Sequence, residues 1–213
     1  VFDREILDLL PDRCDRRVEF IHASVVELKQ ALEACGGSLH ILHAAASDAI
    51  ARLSVALDVD AVFSNHDYEP QANARDAHVA AQLARHGIAF ATCKDQVIFE
   101  KEEVLTAAGR PFSVFTPYKN AWLRRLEAFY VKPYPIEKYR TKLASALAQD
   151  VPTLVELGFS PTNLRQLQLP AGMSGGASLF AAFLQRIDRY ADSRNFPGSK
   201  GPSYLSTHLR FGT

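Results

Sequence analysis

The amino-acid sequence predicts an α/β fold in which a doubly wound parallel sheet carries helices on both faces. Two observations support this prediction. Short apolar runs alternate with amphipathic helical segments along the first half of the 213-residue chain. The connections between these segments are short, and strands joined by helices in this way form parallel sheets covered on both faces.

The first helix is predicted from Ser24, because Glu27 follows three residues later in the pattern of a capping box. The glycines Gly36 and Gly37 end it. The run LHILH (residues 39–43) is short and rich in large apolar side chains, so it predicts a strand.

The same alternation repeats after Ser47, where a second helix is predicted to begin. The run DAVFSN (60–65) predicts a buried strand, and residues 74–86 predict a helix that Gly87 closes. IAFATC (88–93) predicts a further strand. The α/β domain therefore accounts for roughly the first half of the chain.

The second half of the chain has a different residue pattern. After Arg125 the sequence carries several prolines and no strand periodicity, which predicts a long connector packed on a surface. A new helix is predicted from Gly175 and Gly176, with one apolar stripe formed by Leu179, Phe183, Ile187 and Tyr190. The predicted division is an α/β domain at 1–125, a linker at 126–174 and the start of a helical domain at 175–213.

Composition narrows the classes of function. The 24 basic residues balance 24 acidic ones, so a domain-wide positive field for nucleic acid is absent and only a local patch remains open. No run approaches the roughly 18 consecutive apolar residues of a membrane helix, so we expect no membrane partner. The odd number and wide spacing of Cys14, Cys35 and Cys93 argue against a disulfide framework. We expect a cytoplasmic protein, or a nuclear one in a eukaryote.

Local motifs assign no catalytic or metal-binding residue. His40 and His43 alternate about a predicted strand instead of sharing one metal-binding face. The sequence has no G-x-S-x-G elbow, and Cys93 has no paired histidine nearby in sequence. It also has no G-x-G-x-x-G or Walker loop, so an ordinary NAD or ATP site is not predicted.

Two polar stretches are more specific. NHDYEPQANARD (65–76) directly follows a buried strand, at the edge where α/β proteins bind ligands, and both a binding loop and a simple capped loop fit it. GRPFSVFTPYKNAW (109–122) by itself predicts a turn, an extended segment and a helix whose Trp122 packs into the core.

These stretches, together with GGASLFAAFLQRIDRYADSRNFPGSKGPSYLSTHLRFGT, resemble the DNA photolyase/cryptochrome family, in the same order and over nearly the whole chain. The family's VFTPF/Y-x-x-W stretch resembles Val114 to Trp122, with three residues instead of two between Tyr118 and Trp122. Its Y-x-x-x-R-N-x-P and G-T-S-x-L-S-x-x-L-R-F-G patterns match Tyr190 to Gly212. The resemblance implies a Rossmann-like antenna domain, a linker and an all-α domain that holds FAD.

The segment GPSYLS (201–206) resembles the family's loop and helix start that hold the phosphates and ribitol of the flavin. The flavin contacts that the resemblance implies are Tyr190, Ser203, Leu205 and Ser206. Serine hydroxyls and free N–H groups at a helix start suit a diphosphate, although Ser203 also fits simple N-capping of a helix that it opens. Pro202 stands where the family usually has Thr, so one hydroxyl and one backbone donor are missing.

The stretch at 65–76 resembles the family's antenna loop, in which folate-using members carry an Asn-Glu pair two residues after Tyr-Glu. Here Gln71 and Ala72 occupy these positions, and Ala72 cannot accept a hydrogen bond from a pterin. The resemblance therefore favours a deazaflavin or a flavin over a folate as a second chromophore, and absence of an antenna also stays open.

The function that the resemblance implies is that of a deoxyribodipyrimidine photo-lyase. In this family reduced FAD absorbs blue or near-ultraviolet light and donates an electron to a cyclobutane pyrimidine dimer in ultraviolet-damaged DNA, and the split ring returns it. The lesion leaves the duplex to meet the flavin. Arg194 and Lys200 flank the flavin loop and are candidate contacts to DNA phosphate, with solvated surface charges as the alternative.

Two other functions remain open. A cryptochrome, a blue-light photoreceptor that signals to protein partners, uses the same fold, and a flavin-free α/β binding module would require a fortuitous C-terminal match. The family's first strand would precede Val1, and its electron-transfer tryptophans and lesion pocket would follow Thr213. We therefore expect this chain to be a fragment that is inactive alone.

Overall fold

Residues 1–145 and 149–213 are described by the structure, a computed structural model, and residues 146–148 of the predicted linker lie outside the described residues. The helices and strands, in chain order, are β1 (Phe2–Asp3), α1 (Arg4–Leu7), α2 (Arg16–Ala34), β2 (His43–Ala44), α3 (Ala46–Ala56), β3 (Ala61–Asn65), α4 (Pro70–Arg85), β4 (Ala89–Cys93), α5 (Phe115–Arg125), α6 (Ala128–Val131), α7 (Gly172–Leu184), α8 (Tyr190–Ser193) and α9 (Ser206–Phe211). Three 3₁₀ helices span Ile136–Lys142, Leu164–Leu167 and Ile187–Arg189.

Packing divides the chain into two compact units. The first unit combines Val1–Ala45 with Glu137–Thr213, and the second unit is Ala46–Ile136. The domain boundaries predicted after residues 125 and 174 stay a prediction, because a unit defined by packing need not be continuous in sequence.

In the first unit β1 pairs with β2 in parallel, with Phe2 opposite His43 and Asp3 opposite Ala44. The strand predicted at 39–43 is therefore wrong in extent, since His43 is the one residue of that range that belongs to β2. The reason is visible at Ile41, whose N–H and C=O are both bound by the side-chain amide of Gln149, at 3.3 and 2.6 Å. A side chain thus takes the place of a neighbouring strand at this residue.

Helix α2 begins eight residues before the predicted start. Its N-cap is Asp15, whose carboxylate accepts from the N–H of Arg17. Ser24 lies inside the helix and donates its hydroxyl to the carbonyl of Phe20 at 2.8 Å. The apparent capping box is therefore a chance pattern within a longer helix, and Glu27 instead accepts from the N–H of Ser174 at 2.8 Å.

The predicted connector also contributes to a core. In the first unit the buried apolar cluster consists of Phe2, Leu7, Val18, Ile41, Leu157 and Phe159. Its last two members come from the segment that the sequence places on a surface. Their burial, together with a hydrogen bond from the backbone of Ser160 to that of Arg13 (2.8 Å), ties this segment to the N-terminal residues.

Helix α7 ends at Leu184, so the predicted stripe from Leu179 to Tyr190 does not lie on one continuous helix. The stretch Leu164–Leu184 is apolar enough to resemble a membrane span, with a mean hydropathy of 1.2. However, Gln168 adopts a left-handed conformation inside it, and helix α7 has only 13 residues. A helix of that length spans about 20 Å, against about 30 Å for a bilayer core.

In the second unit β3 and β4 run parallel in a continuous register from Ala61 opposite Ala89 to Asn65 opposite Cys93. The bounds of both strands confirm the predictions to within one residue, but the predicted burial of the first is wrong, since no residue of β3 is buried and Phe63 is 75% exposed. Helices α3 and α4 pack together, and the buried cluster of this unit consists of Ala51, Val79, Leu83 and Ile88. Helix α4 starts earlier than predicted because Pro70 occupies its first turn, where a proline needs no N–H partner.

The aromatic prediction in the second unit is confirmed. Trp122 lies on α5 and packs edge-on against the buried ring of Phe99, with centroids 5.5 Å apart. Tyr130 contacts the same ring at 4.8 Å, and the guanidinium of Arg125 lies 5.4 Å from it. Phe99 is therefore the centre about which the segment following β4 folds.

Candidate functional site

The 201–206 loop, residues Gly201 to Ser206, follows a tight turn that begins at Ser193. The Ser199 hydroxyl donates to the Ser193 carbonyl at 3.2 Å. A Cβ at Gly201 would lie only 2.7 Å from that same carbonyl oxygen, so a side chain does not fit there. The glycine therefore lets the loop pass close to the end of α8.

Ser203 does not open the final helix as predicted. Helix α9 starts at Ser206 and Leu205 is its N-cap residue, without a side-chain cap. The Ser203 oxygen instead accepts from the N–H of Leu205 at 3.3 Å, which closes a local turn around Tyr204. Tyr204 has φ +61°, a left-handed conformation that shifts the helix start to Ser206.

The donors of this loop suit an anionic ligand in part. The Ser203 oxygen uses one lone pair for Leu205, so its proton remains available to a ligand. Ser206 is exposed at the first turn of α9, where the backbone N–H groups have no intrahelical acceptor. Pro202 contributes no N–H, as the sequence already indicated.

Tyr190 lies at the start of α8 and is 39% exposed. Phe183 packs edge-on against its ring at 5.7 Å, and the guanidinium of Arg194 lies 5.8 Å from the same ring. Arg194 and Lys200 are exposed and form no salt bridge within the part of the chain that the structure describes. Both cations are therefore accessible to an external anion.

Sequence reasoning missed two residues of this site. Arg186 donates to the carbonyl of Pro202 in the loop at 2.8 Å, a contact that only the folded chain can reveal. His208 is 1% exposed and anchors α9, since its Nδ1 lies 2.8 Å from the Thr213 hydroxyl and its ring packs edge-on against Phe20. Neither residue belongs to a local sequence pattern that would have predicted its contact.

The second unit has a polar cluster at the carboxyl ends of β3 and β4. Glu100 accepts from the Tyr68 hydroxyl at 2.7 Å and from Nδ1 of His66 at 2.8 Å, while the other nitrogen of His66 lies 3.0 Å from the Thr92 hydroxyl. Beside it, Lys94 forms an ion pair with Glu103 at 2.7 Å. These residues lie where α/β sheets bind ligands.

The same hydrogen bonds shift the ionisation of the cluster. Burial, with the hydrogen bond to Glu100, raises the pKa of Tyr68 to about 12. The hydrogen bonds from Tyr68 and His66 lower the pKa of Glu100 below its usual value. At neutral pH the cluster therefore holds a carboxylate and a protonated phenol.

The two antenna positions have different surroundings. Ala72 is 5% exposed and belongs to the interior, while Gln71 is exposed in the first turn of α4. A buried methyl group offers no acceptor to a pterin. Among the described residues no group of three or more His, Cys, Asp or Glu side chains is placed to hold a metal ion.

The model of the DNA photolyase family matches residues 2–138 of this chain. The chain belongs to the DNA photolyase family. It is 30% identical over 212 residues to the deoxyribodipyrimidine photo-lyase of Synechococcus, and 32% identical over 216 residues to that of Halobacterium salinarum. These alignments cover 94% and 100% of the chain but only 42% and 44% of the two relatives, so the chain spans less than half of their length.

Solved structures share the fold. A class III photolyase from Agrobacterium tumefaciens matches with a TM-score of 0.77 at 22% identity, over 96% of this chain and 43% of that one. A Synechocystis cryptochrome matches at 0.71 and 15% identity, over 92% and 42% of the two chains. An archaeal photolyase from Sulfolobus tokodaii with two FAD molecules matches at 0.71 and 20% identity, over 99% and 44%. The α/β fold class predicted from the sequence is thereby confirmed.

Proposed function

We propose that this chain is part of a deoxyribodipyrimidine photo-lyase, which uses light and FAD to split cyclobutane pyrimidine dimers in DNA. The observation that carries the proposal is the 201–206 loop, whose sequence pattern and exposed donors suit a flavin diphosphate. The named function of the relatives that align with nearly all of the chain supports the same conclusion.

The residues that would hold FAD are Tyr190, Ser203, Leu205 and Ser206. The hydroxyls of Ser203 and Ser206 would donate to diphosphate oxygens, and the first turn of α9 would add backbone donors. Leu205 and the partly exposed ring of Tyr190 supply apolar contact beside them. Reduced FAD, when bound, absorbs blue light and supplies the electron that opens the cyclobutane ring.

Arg194 and Lys200 would meet DNA phosphate. Both are exposed cations close in sequence to the flavin loop, and the described residues offer them no carboxylate partner. Contacts of this kind position the duplex without reading its sequence. Their loss would weaken binding to damaged and undamaged DNA alike and reduce its salt dependence.

For a second chromophore, a deazaflavin or a flavin is preferred to a folate. The buried Ala72 and the absence of the Asn-Glu pair count against a pterin, and the Sulfolobus tokodaii photolyase with two FAD molecules provides a precedent for a flavin. We expect no folate to co-purify with the full-length protein. Stoichiometric methenyl-folate, detected by absorbance and mass spectrometry, would contradict this expectation.

The same proposal keeps the division into an antenna domain (1–125), a linker (126–174) and the start of an FAD domain (175–213). It places the protein with its DNA substrate, in the cytoplasm or, in a eukaryote, in the nucleus. The second candidate function is a cryptochrome, which the shared fold of the Synechocystis cryptochrome supports.

Repair can be measured on a duplex that carries one cyclobutane thymine dimer within a restriction site. The full-length protein with reduced FAD is mixed with this duplex, and restored cleavage is measured after blue light and in the dark. We expect cleavage only after illumination. Flavin-loaded protein that leaves the dimer intact in the light would favour the cryptochrome, because its flavin would then serve a different purpose.

A further inference from the structure

The 201–206 loop needs support from outside itself. Tyr204 holds φ +61°, a left-handed conformation that is unfavourable for a non-glycine residue. Within the loop the described hydrogen bonds include only the weak one from the Leu205 N–H to the Ser203 oxygen, at 3.3 Å. Such a conformation persists only where surrounding groups restrain it.

Arg186, just beyond the end of α7, supplies that restraint. One Nη atom donates to the Ala182 carbonyl at 2.6 Å and the other to the Pro202 carbonyl at 2.8 Å. The guanidinium carbon lies 5.4 Å from the ring centroid of Phe183 and 6.0 Å from that of Tyr204. One rigid planar group therefore connects the last turn of a helix to both the backbone and a side chain of the loop.

The contacts of the Arg186 guanidinium fix both its position and its orientation. Its Nε is buried and has no hydrogen-bond partner among the residues that the structure describes, which is a cost to the folded state. The two Nη contacts and the two aromatic rings must offset that cost. They also define its orientation, because a lysine in the same place has neither the fork of donors nor the flat face.

The contact with Arg186 is compatible with proline at position 202, where the family usually has threonine. The contact uses the carbonyl of this residue, which proline retains, and not the N–H that proline lacks. The pyrrolidine ring fixes φ of Pro202 while Arg186 holds its carbonyl. Two restraints therefore act on the residue that immediately precedes Ser203.

We propose that Arg186 is the positioning residue of the flavin loop, which it holds in the conformation that presents the hydroxyls of Ser203 and Ser206 to the diphosphate. This inference rests on the proposed function, since it names the group that orders the same site. Arg186 acts through the loop, since its described hydrogen bonds go to the carbonyls of Ala182 and Pro202.

The test uses the full-length protein with Arg186→Met, Arg186→Lys and the control Arg189→Met. Arg189 lies three residues further along, and its exposed side chain forms no hydrogen bond, salt bridge or ring contact in the described structure. Three quantities are measured: the Kd for FAD, the rate of tryptic cleavage after the exposed Lys200 in flavin-free protein, and the thermal unfolding midpoint. Cleavage at this bond reports loop order without any flavin.

We expect Arg186→Met to weaken FAD binding by about tenfold or more and to accelerate cleavage after Lys200, at an unfolding midpoint close to that of Arg189→Met. Arg186→Lys should fall between wild type and Arg186→Met in both quantities, because it keeps the charge and a donor nitrogen but not the planar fork. Arg189→Met should change neither by more than about twofold.

If wild-type protein and Arg186→Met bind FAD with equal affinity, the inference is overturned and the proposed function stands. Unchanged cleavage after Lys200 in Arg186→Met would overturn it as well, whatever the flavin result. Failure of the wild-type protein to bind FAD would instead refute the proposed function on which the inference rests.

Discussion

Pro202 is the residue at which the 201–206 loop departs from the G-T-S-x-L-S pattern of its family. Its carbonyl is held by Arg186 at 2.8 Å, so the backbone of the loop is anchored although an N–H and a hydroxyl are missing. The loop thus keeps its anchor and lacks two donors. A residue with both groups would add to ligand binding without removing the anchor.

We predict that Pro202→Thr tightens FAD binding to the full-length protein by about tenfold, because a hydrogen bond to a charged phosphate contributes about 1.5–3 kcal/mol. Equilibrium titration with FAD measures the change. The control is Pro197→Thr, at an exposed position in the preceding turn. Weaker binding by Pro202→Thr would mean that the fixed φ of proline matters more than the missing donors.

At the scale of elements, the sequence predicted the second unit well and the first less well. Strands β3 and β4 each come from one short, mostly apolar segment of the chain, and their ends were predicted within one residue. The start of α2 could not be read from Ser24, since a serine inside a helix and an N-cap serine have the same local pattern. The contact of Gln149 with Ile41 joins residues 108 positions apart, which periodicity cannot detect.

The candidate site shows the same limit. The assignment of Ser203 and Ser206 to a flavin site stays a prediction, but the helix start predicted at Ser203 is wrong. Helix α9 starts at Ser206 because Tyr204 adopts a left-handed conformation. No propensity argument assigns that conformation to a tyrosine. The role of Arg186 could not be predicted for a related reason. Its side chain contacts Pro202 across a turn whose conformation the sequence does not determine.

Helix α7 offers a test of close packing between elements. A Cβ at Gly175 would lie 2.3 Å from the backbone carbonyl oxygen of Pro170, so Gly175→Ala requires the backbone to move. We predict a loss of about 1–3 kcal/mol in the free energy of unfolding, although alanine is the better helix former. Urea titration of the full-length protein measures it.

The matched control is Gly198→Ala, where a Cβ meets no atom within 4 Å. We expect it to change the free energy of unfolding by less than about 0.5 kcal/mol. Equal stability of the two variants would show that the approach of α7 to Pro170 is looser than the structure indicates.

At the scale of the whole molecule, the final helices of the first unit leave apolar side chains uncovered. Leu209 on α9 is 80% exposed, and Phe180 and Leu184 on α7 are 50% and 45% exposed. Leu179 and Phe183 on α7 are half-buried by comparison, and the ring of Phe183 packs against Tyr190 and Arg186. These faces resemble helix surfaces that pack against further helices in a larger domain.

We predict that a polypeptide of these 213 residues, made alone, binds no FAD at micromolar concentration and self-associates. The 201–206 loop offers donors to one side of a diphosphate, and exposed apolar faces favour association. Flavin titration and sizing chromatography measure both properties. A monodisperse monomer with micromolar flavin affinity would show that the flavin site is much more local than proposed here.

The central claim is that the 201–206 loop holds the flavin of a light-driven DNA repair enzyme. Its most direct test measures the flavin absorbance per protein molecule of the full-length double variant Ser203→Ala/Ser206→Ala. The control is Ser178→Ala, which changes an exposed serine on α7. We predict that the double variant binds FAD at least about tenfold more weakly, because hydrogen bonds to a charged phosphate are lost, while Ser178→Ala retains full occupancy. Equal flavin occupancy in the double variant and the control would contradict the account, because these hydroxyls would then lie outside the flavin site.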